Sequence, residues 1–288
     1  MSTLAEPPVE VADGYRAGRT LPFRVELVRQ LKRRRTQGMA GVLVALPLIL
    51  LIAFQVGGDP GGNNNRVNLM DTATASGANF AAVNLFSAAG FLLVIPVALF
   101  CGDTVASEAS WSSLRYLLAA PVPRARLLWS KLAVGLTLSL AAMVLLPVVA
   151  LLVGTAAYGW GPLELPTGGS LSTGTAAQRI LIVVAYIMVS QLVTAALAFY
   201  LSTRTDAPLG AVGGAVFLTI IGSVLDEVTA LGDWRHFLPA HWQYAWLDAV
   251  RPQPEWSDMI QGTSISVTYA LVLFALAFRG FARKDVVS

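Results

Sequence analysis

The sequence predicts an all-α integral membrane protein with six transmembrane helices and both termini in the cytoplasm. Three observations predict it. Of 288 residues, 55% are hydrophobic and only 13% charged, against about 25% charged in a soluble domain. The charges are clumped, and the intervals between clumps are apolar runs of about 20 residues, the length that crosses roughly 30 Å of hydrocarbon. With the N-terminus inside, 16 of the 20 Lys and Arg residues fall in cytoplasmic segments, the bias that orients membrane proteins.

Each element has its own signal. Residues 1–22 are polar, contain no apolar core, and read as a cytoplasmic tail. The rest, 23–288, reads as one transmembrane domain. It opens with a basic amphipathic helix over 23–35: Phe23, Leu27, Val28 and Leu31 share an arc, and Glu26, Arg29, Lys32 and Arg33 lie mostly opposite. Arg24 falls on the apolar arc; the pattern fits a helix lying in the headgroup plane or a solvated cluster that marks the cytoplasmic side. Spans follow at about 38–56, 80–101, 132–158, 178–201, 209–225 and 259–278, the first three containing Pro47, Pro96 and Pro147. Residues 57–65 and 159–175 are rich in turn formers and read as loops. The segment 226–258 carries Trp234, Trp242, Trp246, Trp256 and Tyr244. Indole and phenol rings favour the membrane interface, so it reads as an interfacial or re-entrant element capping the outer end before span six.

Several chemistries are disfavoured. Cys101 is the single cysteine, which excludes an intrachain disulfide, and His236 and His241 are five apart rather than the i, i+4 of a helical metal site. Neither a catalytic residue, a metal nor a cofactor is expected in this chain. The spans carry no Lys, Arg, Asp or Glu near their centres, where a proton relay would need one. A phosphate-binding loop and a hydrolase elbow are also missing from the sequence, so the chain is not expected to be an enzyme. The net charge of +3 sits beside apolar runs rather than on one soluble face, which points to membrane lipids and not nucleic acid. The mild polar residues Asn84, Gln191, Thr194 and Thr219 serve helix–helix hydrogen bonding; with Phe86 and Phe91 they are also the candidates for lining a substrate path.

The richest stretch lies between spans two and three. Ser107, Trp111, Leu114 and Leu118 share one helical face, and Glu108, Ser112 and Arg115 another. Pro121 and Pro123 end the helix, and Arg124, Arg126 and Lys131 follow. The pattern predicts a short amphipathic helix and a stiff turn offering a packing face and a charged face to a soluble partner.

This stretch resembles the permease subunits of ABC-2 type transporters. The family pattern is matched by Gly102, Asp103, Ala106, Glu108, Leu114, Arg115, Leu117, Leu118, Pro121, Val122, Arg124 and Lys131, with Ser112 and Ser113 where relatives often have Gly-Thr. The resemblance implies a subunit in the inner (plasma) membrane that pairs with a second copy or homologue and docks a separate ABC ATPase, which binds ATP and Mg. The helix at 23–35 would be a connecting elbow and the loop helix the coupling helix, with Asp103, Glu108, Trp111, Leu114, Arg115, Tyr116, Pro121 and Arg124 as candidates for ATPase coupling. Most such subunits belong to exporters of drugs, lipids or polysaccharides. The alternative is a transmission or scaffold subunit that moves an extracytoplasmic partner and translocates no solute.

Overall fold

A computed structural model of the chain describes residues 23–57, 69–110, 123–166 and 168–283. Nine helices account for most of them: α1 (Phe23–Leu31), α2 (Arg34–Gly57), α3 (Gly77–Ala89), α4 (Val94–Ser110), α5 (Arg124–Tyr158), α6 (Thr173–Ser190), α7 (Leu192–Arg204), α8 (Pro208–Asp226) and α9 (Ser257–Ala282). The expected tail at 1–22, and the candidates Trp111, Leu114, Arg115, Tyr116 and Pro121, lie outside the described residues.

Helices α2, α5, α8, α9 and the stretch Thr173–Arg204 are each long and apolar enough to cross a membrane. Gln191 keeps helical dihedrals between α6 and α7 (φ −73°, ψ −7°), so that pair continues as one rod. These five contain the spans expected at 38–56, 132–158, 178–201, 209–225 and 259–278.

The second span departs from expectation. Residues 80–101 do not form one straight helix; α3 and α4 meet at a 52° bend and make a sixth crossing only as a pair. Proline chemistry gives the reason. Pro96 has no N–H to donate, and a helix restarting at Val94 puts it in the first turn, where that donor is not needed. The break also receives the cap: a Cβ on Gly90 would lie 2.5 Å from Tyr244 Oη and 2.9 Å from Gln243 Nε2.

Two further corrections concern the ends of α5. It begins at Arg124, eight residues before the apolar run, and its 35 residues span about 52 Å at 1.5 Å per residue. That exceeds the hydrocarbon by roughly 20 Å, so its charged first turns lie beyond it. At the other end, 159–175 is not all loop. Leu163–Glu164 (β1) pairs antiparallel with Ser170–Leu171 (β2). Asn79 holds this hairpin as a strand would, its Nδ2 donating to Glu164 O (2.7 Å) and its Oδ1 accepting from Glu164 N (2.9 Å).

Helix α4 is the centre of the molecule. Thirteen of its 17 residues are buried, and it packs against α5, α7 and α8. Ser202 Oγ on α7 accepts from Val105 N and Ala106 N at 3.1 and 2.9 Å. Helix α3 lies so close to α5 that a Cβ on Gly154 would sit 2.8 Å from Phe80 Cβ, a small-residue contact that lets two backbones approach.

Between α8 and α9 the chain folds into three 3-10 segments, Thr229–Phe237, Pro239–Trp242 and Ala245–Val250. They form a cap tied down by His241 Nδ1 to Asp226 Oδ1 (2.6 Å), Trp242 Nε1 to His236 O (2.9 Å) and Tyr186 Oη to Trp242 O (2.6 Å). The four tryptophans divide. Trp234 and Trp256 are exposed, as interfacial rings would be, but Trp242 and Trp246 are buried, and Trp246 packs edge-on against Phe86.

Candidate functional site

The charged groups of the elbow and of the 102–131 stretch meet at one end of the bundle. Helix α1 is nine residues long. Glu26 and Gln30, one turn apart, are its buried residues, while Phe23, Val28 and Leu31 are exposed. Most of the apolar arc therefore faces away from the protein, as a helix lying in a headgroup plane requires, while Leu27 packs against the core and part of the polar arc faces inward.

There Glu26 joins a ring of alternating charge. Lys131 Nζ on α5 donates to Glu26 Oε1 and to Glu108 Oε1 on α4, both at 2.8 Å. Arg29 Nη2 donates to Glu26 Oε1 at 2.9 Å and also to Glu108 Oε1. Gln30 Nε2 adds a bond to Glu26 Oε1 at 3.0 Å. The Lys131 and Glu108 side chains are 4% and 3% exposed. Removing ions from water costs several kcal/mol each, and only close, hydrogen-bonded partners offset it; two cations shared between two carboxylates meet that condition. Burial would raise the Glu26 carboxyl, but the Lys131 charge and the hydrogen bonds from Lys131, Arg29 and Gln30 outweigh it and hold it below its ordinary value. Arg29 is likewise desolvated, yet its bonds to Glu108 and Glu26 raise it.

A second cluster lies beside the first. Asp103 on α4 accepts from Arg33 Nη1 at 2.6 Å and from Arg35 Nη1. Burial, and the neighbouring Arg29 and Arg35, push the Arg33 guanidinium down despite Asp103. Together the two clusters clasp α1, the start of α2, the end of α4 and the start of α5.

The clasp gives a physical content to the first half of the sequence pattern. A Cβ on Gly102 would lie 3.1 Å from Val212 Cγ2, so that residue admits α8. Asp103 and Glu108 hold the elbow, and Ala106 is fully buried under Ser202. Glu108, expected to share a charged face with Arg115 toward a soluble partner, is instead buried in the clasp; Arg115 lies outside the described residues. Ser107, Asp103 and Glu108 are all buried at the end of α4, and the two carboxylates, once out of water, need the cations that surround them. Arg124 remains exposed at the start of α5, donating to Ala282 O at 3.3 Å.

The substrate-path candidates are not gathered. Asn84 is buried and donates to Phe80 O (2.8 Å), Gln191 reaches Ala89 O (3.4 Å), and Thr219 bonds its own helix at Ala215 O (2.9 Å). Thr194 is buried, Phe86 stacks on Tyr244 at 5.3 Å, and Phe91 is exposed. Two cavities of about 440 and 380 Å³ are lined by none of the six.

Sequence reasoning missed Glu26, Arg29, Arg33 and Arg35 as site residues. One signal was present: Glu26 is the lone acid among eight cations between residues 16 and 35. Among the described residues there is no cluster of three metal-ligating side chains.

A mostly helical chain with five or six elements long and apolar enough to cross a membrane, closed at one end by a buried charge clasp and at the other by a folded cap, has the character of a membrane protein. Residues 50–287 match the family model described as protein of unknown function (DUF2705). That covers most of the chain, which belongs to this family. No curated protein matches it.

Proposed function

We propose that this chain is the membrane-spanning permease subunit of an ATP-driven exporter. It sits in the plasma membrane with both ends cytoplasmic, pairs with a second copy or homologue, and is driven by a separate ATPase. The observation that carries the reading is the clasp at the root of the 111–122 stretch. That stretch leaves α4 two residues after Glu108 and returns to α5 seven residues before Lys131. A soluble motor pulling on it would move α4, α5 and the elbow together, since Lys131 ties Glu26 to Glu108. The spans supply no ionisable group at their centres for a gradient-driven cycle, so the energy would come from outside the chain. The scattered substrate-path candidates fit a half-unit whose path is completed by a second subunit.

The test is purification of the chain from its native membrane, followed by reconstitution in vesicles with any ATPase that accompanies it. The expected result is ATPase turnover that rises with the chain present and falls on Arg115→Ala with Tyr116→Ala. A chain that neither co-purifies with an ATPase nor changes its turnover sinks the reading. The transmission alternative has one observation in its favour: on the cap, Trp234 and Phe237 are exposed and stacked on one another at 5.9 Å, a surface for an extracytoplasmic partner. Coupled turnover with no ATP-dependent flux of any cargo would select it.

A further inference from the structure

Three arginines converge in the larger cavity, a groove of about 440 Å³ between the C-terminal ends of α7 and α9. Arg204 comes from α7, and Arg279 and Arg283 from α9; Tyr200 and Leu276 supply apolar wall. Arg204 lies over the Tyr200 ring at 5.8 Å and close to α9, where a Cβ on Gly280 would sit 3.4 Å from its Nη1. Among the described residues none of the three makes an ion pair, and no carboxylate lines the groove. Arg124 at the head of α5 donates to Ala282 O, which places the groove at the same end as the clasp, level with charged turns outside the hydrocarbon.

Part of this positive charge has an ordinary explanation. Two helix C-termini meet here, each carrying about half a negative charge that cations complement. That offsets about one of the three charges, and among the described residues the lining offers no carboxylate to the others. A guanidinium fork matches phosphate oxygens bidentately, and the apolar wall beside the cations suits a ligand with a charged head and an apolar body.

We propose that Arg204, Arg279 and Arg283 form a phosphate-binding site whose ligand is the headgroup of an anionic phospholipid, seated between α7 and α9. The proposal does not rest on the exporter reading. The test uses the full chain purified in detergent and offered phosphatidylglycerol and phosphatidylcholine in equal amounts, with retained lipid read by native mass spectrometry. Phosphatidylglycerol should be preferred. A basic residue near an anionic surface contributes about fivefold in affinity, so Arg204→Gln, Arg279→Gln and Arg283→Gln together should lower the preference on the order of a hundredfold. Each single change, which serves if the triple variant fails to fold, should cost about fivefold. Arg24→Gln, Lys32→Gln and Arg34→Gln together remove as many exposed cations at the same end and should leave the preference nearly intact. Equal loss in both triple variants would reduce the groove to diffuse surface charge and overturn the proposal, as would absence of any preference in the native chain. Millimolar inorganic phosphate separates the sources: lipid that stays bound supports a headgroup site, and displacement at that concentration overturns the lipid assignment in favour of a free phosphate anion.

Discussion

Lys131 is the residue on which the clasp turns. It is the buried cation that joins the elbow to both inner helix ends, and Lys131→Met keeps its volume while leaving Glu26 and Glu108 to share Arg29. Breaking one partner out of a buried ion cluster costs about 3–5 kcal/mol. The expected outcome is a clearly lower thermal unfolding temperature in detergent. Adding Glu108→Gln to the same chain should restore part of the loss, because one of the two carboxylates that Lys131 had neutralised is then uncharged; strictly additive losses would show that the two residues do not interact. Glu26 adds a pH dependence whose sign is fixed. Its carboxyl is held below the ordinary value of 4.5, so its contribution is fully present above about pH 4.5 and is lost as pH falls through the lowered native value. A distance label between α1 and α5 should report a docked elbow from neutral pH down to that range and release below it. Glu26→Gln should remove the acid step. None of this clasp was legible from residue spacing, since the pairs that join its helices lie 23 to 105 positions apart. What the sequence did carry was the chemical demand, carboxylates at the edge of an apolar run that need cations.

At the scale of elements, the bilayer wrote most of what was legible. Five spans fall inside their helices because a fixed thickness fixes an apolar run length. The signal fails where the cause is something other than hydropathy. The bend between α3 and α4 falls between Gly90 and Pro96, a break that a window average does not resolve. The added turns of α5 are charged, and the β1–β2 hairpin is held by Asn79 from a distant helix. The elbow was legible as amphipathic, but which arc faces the protein is decided by Lys131 and Glu108. Close packing of α3 on α5 gives this scale its prediction. A Cβ on Gly154 would approach Phe80 Cβ and Cδ1 to 2.8 Å and Gly77 Cα to 3.1 Å. Gly154→Val should therefore destabilise by about 1–3 kcal/mol through overpacking. Gly41→Val on α2, where a Cβ meets nothing within 4 Å, is the matched control and should change the unfolding temperature little. Equal effects would mean that helix propensity, and not the crossing, decides both.

The whole molecule is polarised, and its polarity makes the functional reading testable without knowing a cargo. One end gathers the elbow, the clasp and the arginine groove; the other carries the hairpin and the tryptophan-rich cap. Two exposed indoles bracket the longest helix, Trp129 near the start of α5 and Trp160 just past its end. They are roughly 45 Å apart along the axis at 1.5 Å per residue, about the full thickness of a bilayer with its headgroups. If the positive-inside bias sets the orientation, the clasp end is cytoplasmic, where an ATPase can reach it. Native Cys101 is fully buried and leaves a silent background for a membrane-impermeant maleimide. Trp234→Cys on the cap should label in intact cells, whereas Arg24→Cys at the elbow should label only after permeabilisation. The reverse pattern would put the 111–122 stretch outside, beyond the reach of a cytoplasmic motor. That outcome would remove the exporter and transmission readings together while leaving the clasp and the arginine groove as they are, because both rest on contacts within the chain and not on the side of the membrane they face.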